Sequence, residues 1–176
     1  LGTIQDVLGT CSTSFSSSGA ARSKNLKVGS GKINGTVLLP GETLSGYEMM
    51  APFTLENGYA SAGAYENGRV VDSIGGGVCQ ISSTVYNAVK NAGLTVVQRN
   101  PHSMPVNYLP KGLDAAIAAG SKDLKFRNDY TTPVVLYTDT SNKHLTVNVL
   151  VWNQELAGRS FKLWAKQTGA LSADTY

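Results

Sequence analysis

Residues 75–89 read GGGVCQISSTVYNAV, and three consecutive glycines running straight into an apolar 3.6-residue period constrain this chain more than any other stretch. Upstream, GAYENGRVVDSIGGG sets Asn67-Gly68 between two β-compatible arms, the strongest short-range signal for a hairpin. Downstream, Val78, Ile81, Val85, Ala88, Val89 and Ala92 fall on one helical face, and Gly93 stands where a C-terminal cap belongs. The triplet marks the point where the period changes from 2 to 3.6. Cys79 then starts the helix, expected off the buried face on a stripe shared with Ser83, Tyr86 and Lys90.

The flanking segments supply the rest of the fold class. The first 30 residues are rich in Ser and Gly and predict at most a short helix over 20–28. Gly29 and Gly31 are expected to stop it, because glycine costs about 1 kcal/mol in a helix interior. TVLLPGETLSGY reads as a short strand ended by a Pro40-Gly41 turn. LTVVQRN, DLKFRN, PVVLYTD and HLTVNVLVW read as strands, the last two joined by the polar turn TSNK. PHSMPVNYLPKGLDAAIA is a proline-punctuated connection. The class is α+β, a mainly antiparallel sheet with one key helix starting at the Gly-Gly-Gly-Val-Cys motif. One domain is expected over 1–155, with 156–176 a C-terminal strand or tail of the same domain.

Composition then removes whole classes of function. An apolar share of 41% with 15% charged residues in 176 residues is that of a chain with a real core. Fifteen Lys and Arg against twelve Asp and Glu give +3, scattered rather than banked into runs, which argues against a nucleic-acid groove. No stretch approaches the roughly 18 apolar residues of a membrane helix. The start at Leu1, without methionine or leader, reads as a mature or excised fragment whose targeting information has been cut away.

Motif arithmetic narrows the chemistry. GSGKI at 29–33 is not a phosphate loop, since Leu26 stands where its first glycine should be and Ile33 where the magnesium-binding Ser or Thr belongs. Cys79, His102 and His144 lack paired metal-ligand spacing, so no metal and no cofactor is expected. Cys11 and Cys79 are too few for a disulfide scaffold; one bridge between them stays open in an oxidising compartment. A thiol with a histidine elsewhere fits nucleophilic catalysis better. At a helix N-terminus the Cys79 thiolate is favoured, so its pKa is expected below the free value of about 8.5.

GGGVCQISSTVYNA, followed by PHSMPVNYLPKGLDA and then LKFRN, resembles the VanW domain, a bacterial cell-envelope family. INGTVLLPGETLS and SFSSSGAARSKNL resemble that family's earlier segments, and the likeness covers roughly residues 8–152. What the resemblance implies is peptidoglycan chemistry on the extracellular side of the envelope. Some members are similar in activity to L,D-transpeptidases, which form 3→3 cross-links with a cysteine nucleophile. The implied partners are donor and acceptor stem peptides, with a membrane anchor and wall-associated repeats upstream of this chain. A noncatalytic wall-binding module and a cysteine L,D-carboxypeptidase or hydrolase remain as alternatives.

Roles for residues follow from that chemistry. Cys79 is the nucleophile. His102, in the PHSMP connection, is the candidate base, expected within reach of the sulfur; the bland alternative is a structural histidine bonding backbone in a Pro-rich loop. Asp114 either orients His102 or caps a helix before AAIAA. Arg99 either binds a substrate carboxylate or is a surface charge at a strand end. Gly77, Ser82, Ser83 and Ser103 are placed against substrate, with Gln80 and the first-turn N–H groups as oxyanion donors; ordinary helix-surface serines, or hydroxyls back-bonding to the helix, explain Ser82 and Ser83 equally well. His144 reads as solvated. Core packing is the default for Tyr47, Tyr59 and Tyr86.

Overall fold

A computed structural model describes residues 5–152. The expected C-terminal strand or tail over 156–176 lies outside the described residues. In chain order the elements are β1 (Gln5–Ser14), α1 (Ala20–Ile33), β2 (Thr36–Leu38), β3 (Thr43–Ser45), α2 (Gly46–Met50), β4 (Ser61–Glu66), β5 (Arg69–Ile74), α3 (Cys79–Asn91), β6 (Thr95–Gln98), β7 (Lys125–Arg127), β8 (Val134–Asp139) and β9 (His144–Trp152). The fold is α+β, with antiparallel pairing in every sheet.

A four-stranded sheet in the order β1-β9-β8-β2 carries the core. Along β9 the odd positions Leu145, Val147 and Val149 point into the same cluster as Leu26 and Ile33 of α1 and Ile81, Val85 and Val89 of α3. The period-2 face of a strand therefore meets the period-3.6 faces of two helices. Each of these buried aliphatic side chains contributes about 1.5–3 kcal/mol. A smaller sheet, β3-β7-β6, closes one end.

β4 and β5 form the expected hairpin. Asn67 and Gly68 at its tip adopt φ of 48° and 74°, the paired left-handed conformations of a tight two-residue turn. Among the described residues these two strands pair only with each other. The hairpin hands the chain to the glycine turn, and α3 begins at Cys79. At the far end Gly93 N–H donates to the Lys90 carbonyl and Leu94 N–H to that of Val89, the glycine stop anticipated from sequence.

Three expectations are corrected. Residues 5–14, read as irregular, are the ten-residue strand β1, paired with β9 throughout apart from a bulge between Val7 and Gly9. The first helix does not end at residue 28 but continues to Ile33, through both glycines. A β-carbon on Gly29 would lie 2.6 Å from Ile81 Cδ1, so glycine lets α1 approach α3, and the packing gained there outweighs its propensity cost. Finally, α3 is enclosed far beyond its apolar face: Gln80, Ser82, Ser83, Thr84 and Asn87 are buried as well, and Ser83 does not share the outward stripe.

Candidate active site

A cleft of about 1090 Å³ runs between the β4–β5 hairpin, the start of α1 and the 102–122 connection, and Cys79 and His102 both line it. Backbone bonds fix the Cys79 end. Asn25 of α1, fully buried, donates from Nδ2 to the carbonyls of Ala60 and Gly76, each at 2.9 Å, and accepts the Ala60 N–H at 2.7 Å on Oδ1. One side chain thus ties the base of the hairpin and the glycine turn to α1. A β-carbon on Gly76 would overlap the Ala62 carbonyl, so the turn passes the hairpin at backbone contact.

The Cys79 sulfur donates to the Ile117 carbonyl and accepts the Ile117 N–H, each at 3.5 Å. The two cysteines are free thiols. Burial pushes the Cys79 thiol up; the Ile117 N–H and the charges of Lys122 and Arg22 pull it back only in part, and Asp114 adds to the rise. The expected depression at the helix N-terminus is therefore corrected: desolvation of the thiolate is the largest influence, and its direction is upward. Around the sulfur, the N–H groups of Gln80, Ile81 and Ser82 are taken by the Gly77 and Val78 carbonyls. Among the described residues the N–H groups of Gly77 and Cys79 have no hydrogen-bond partner, and both residues line the cleft.

His102 and Asp114 meet closely. The Asp114 Oδ2 accepts the His102 backbone N–H at 2.7 Å and lies 2.6 Å from its ring Nδ1. A carboxylate there accepts a proton-bearing Nδ1, which leaves Nε2 unprotonated in the neutral ring. The Tyr65 ring meets the His102 ring edge-on, with centroids 6.1 Å apart. Asp114 lies behind His102 in no helix, so the N-cap reading of Asp114 is set aside. Burial opposes its ionisation, but the His102 N–H and ring outweigh that and hold its carboxyl below the usual carboxylate range. Among the described residues no hydrogen bond joins His102 to the Cys79 sulfur; the two groups share the cleft.

The other sequence candidates divide. Gly77 and Ser103 line the cleft. Arg99 does not: its guanidinium donates to the Gly112 and Asp114 carbonyls and to Asp114 Oδ1, and it stacks over Tyr86, so its reading as a substrate-carboxylate ligand is corrected. Ser82 and Ser83 are also corrected. Both are buried and both hydroxyls donate to the Ala115 carbonyl, at 2.5 and 3.2 Å, while the Ala115 N–H donates to Ser83 at 2.9 Å. They clamp the 113–117 segment onto α3 and so place Ile117 against the sulfur. Gln80 reaches the cleft wall, but its amide donates to Thr13 and to the Ser14 carbonyl, which removes it as an oxyanion donor. His144 is exposed, as expected.

Sequence reasoning missed Asn25, Arg22, Tyr108 and Lys122. Arg22, Tyr108 and Lys122 line the cleft, and burial pushes the Tyr108 hydroxyl well up, which keeps it a neutral donor. Apart from the PHSMPVNYLP string itself, no periodicity or spacing marks them. Among the described residues no group of three His, Cys, Asp or Glu comes together that could hold a metal ion.

Residues 21–150 match the family described as VanW like protein. The chain belongs to the VanW family. This VanW domain is 40% identical over 129 residues to the uncharacterized protein YoaR of Bacillus subtilis (strain 168), a match covering 73% of this chain and 43% of that protein. It is 34% identical over 110 residues to the vancomycin B-type resistance protein VanW of Enterococcus faecalis (strain ATCC 700802 / V583), covering 60% of this chain and 40% of that protein. The matched region is less than half the length of either relative. No solved structure matches the VanW domain.

Proposed function

We propose that the cleft is the active site of a cysteine L,D-transpeptidase that forms 3→3 cross-links between peptidoglycan stem peptides on the outer side of a bacterial envelope. The observation that carries this reading is the shared lining of one cleft by the Cys79 thiol and by a histidine whose Nδ1 is anchored on Asp114. Membership of the VanW family and a relative named for vancomycin resistance support the cell-wall setting.

The chemistry follows from the groups present. Cys79 passes its proton to His102 Nε2 as the sulfur attacks the carbonyl of the third stem-peptide residue. The resulting oxyanion is met by the free N–H groups of Gly77 and Cys79. The C–N bond to the terminal D-Ala breaks, and His102 returns the proton to the departing amine. The side-chain amine of an acceptor then attacks the thioester, gives its surplus proton to His102, and the thiolate leaves. Asp114 holds the ring and offsets its charge in the protonated interval. A thiol pushed up by burial favours proton transfer to His102 in step with attack.

Incubating the protein with tetrapeptide muropeptides and following products by mass spectrometry tests this. Free D-Ala with 3→3 dimers is the expected result. D-Ala with trimmed monomers alone would make the protein an L,D-carboxypeptidase, and binding without D-Ala release would make it a noncatalytic wall module.

A further inference from the structure

Two cations lie beside Cys79 in the cleft, and among the described residues no anion pairs with either. Arg22, on α1, lies across Gly77, whose own β-carbon would fall 2.7 Å from Arg22 Cγ. Its Nη1 donates to Ser18 at 2.7 Å and its guanidinium sits 6.0 Å from the Tyr108 ring. Lys122 comes from a different segment: its backbone pairs with Ala118, the residue after the Ile117 that holds the sulfur, and it lines the same cleft.

The described residues place neither cation in an ion pair, although the other arginine near the site, Arg99, has Asp114. Among the described residues Glu66 is the one acid that lines the cleft, and it is exposed near the hairpin tip. A half-buried guanidinium held by a hydroxyl and a ring carries an unmet desolvation cost, which an incoming anion would offset. Burial accordingly pushes Arg22 down, and both cations act on the Cys79 sulfur.

We infer that Arg22 and Lys122 form an anion subsite beside Cys79 that takes the carboxylate of a peptide substrate, Arg22 through its two-pronged guanidinium and Lys122 as a point charge. The assignment to a substrate carboxylate rests on the reading of Cys79 as the acyl-accepting thiol. The carboxylate nearest the scissile bond is then that of the departing residue, so the subsite selects donors ending in a free acid. It also fills the role that sequence gave to Arg99.

Charged and neutral alkylating agents test the subsite without invoking turnover. In a Cys11→Ser background, the rates at which Cys79 reacts with iodoacetate and with iodoacetamide are compared at several pH values. The ratio of the two rates cancels any change in thiolate fraction. Arg22→Gln is expected to lower the iodoacetate-to-iodoacetamide ratio about tenfold and Lys122→Gln about threefold, with Arg22→Lys keeping most of the ratio. A ratio unchanged in both Gln variants overturns the subsite, as does an equal loss with both reagents. The second arm uses muropeptide donors ending in a free acid or in an amide: Arg22→Gln should raise KM for the acid alone. A shifted ratio without D-Ala release by the unaltered protein upholds the subsite and defeats the transpeptidase reading. D-Ala release with ratio and KM unmoved does the reverse.

Discussion

One oxygen of Asp114, Oδ2, accepts both the backbone N–H of His102 and the His102 ring, at 2.7 and 2.6 Å. The pairing fixes the position of the loop and the tautomer of the ring together, while Oδ1 accepts Arg99. His102→Ala is expected to slow D-Ala release about 10²-fold or more, the usual scale of a general acid–base group. Asp114→Asn should cost a similar factor by misplacing the proton on the ring. Because the two act as a unit, the double variant should lose little beyond the worse single one. Rates measured on the three variants check this; additive losses would separate the pair.

Cys79→Ala should abolish D-Ala release with the fold retained, whereas Cys11→Ala should keep it, since Cys11 lies on β1 and does not line the cleft. With burial raising the thiol, alkylation of Cys79 in the free protein should climb through an apparent pKa above about 8.5. An iodoacetamide rate profile in the Cys11→Ser background reads it directly. A midpoint well below that value would restore the helix terminus as the dominant influence.

Acid stability gives a separate handle on Asp114. A carboxyl held below its ordinary value contributes stability above about pH 4 and loses it as the pH falls through the depressed folded-state value. Thermal melts between pH 5 and pH 2 should therefore fall more steeply for the unaltered protein than for Asp114→Asn. Asp129, also depressed, through Arg127 and Thr95, is present in both and cancels from the comparison. Parallel curves would remove the His102–Asp114 bond as a source of that stability.

Asn25→Ala removes three hydrogen bonds and leaves the Ala60 and Gly76 carbonyls and the Ala60 N–H without it. The Ala60 carbonyl keeps the Gly75 N–H, so the Gly76 carbonyl and the Ala60 N–H are the groups orphaned, each at a cost of about 1–3 kcal/mol. Chemical denaturation should show a loss at or above the upper end of that range, and Asn25→Asp, which keeps the acceptor and loses the donor, should fall between. A loss under about 1 kcal/mol would mean that water replaces the amide.

Most of the framework was legible because local and tertiary signals agree there. The Asn67-Gly68 turn, the apolar face of α3 and its stop at Gly93 each use a rule that acts within a few residues. β1 escaped for want of apolar weight, yet its pattern was present: Cys11, Thr13 and Phe15 turn inward or partly so while Ser12 and Ser14 are exposed. The serines masked a period of 2. The extension of α1 past Gly29 was not readable, since the reason sits on Ile81, 52 positions away in sequence. Within the site, scarcity singled out Cys79 and His102, and Asp114 was found by chemical role. For Arg99, Ser82 and Ser83 the sequence left a structural reading open beside the substrate one and could not choose, because their partners, Gly112 to Ala115, come from a loop whose path no local rule sets. For the same reason Arg22 and Lys122 carried no mark.

The cleft has one rigid wall and one replaceable wall. Cys79 belongs to a helix that the core encloses, so changes near the sulfur also tax the fold. Another wall is the β4–β5 hairpin, whose Tyr65, Val70 and Ile74 are exposed and whose strands, among the described residues, form ladder bonds only with each other. Substitutions and length changes from Glu66 to Val71, clear of Ala62 against Gly76 and of Tyr65 against His102, can recut the cleft while leaving the thiol and its supports untouched. Diversification of substrate preference across such domains should accordingly concentrate in residues 66–71, much as an interchangeable jaw is fitted to a fixed vice.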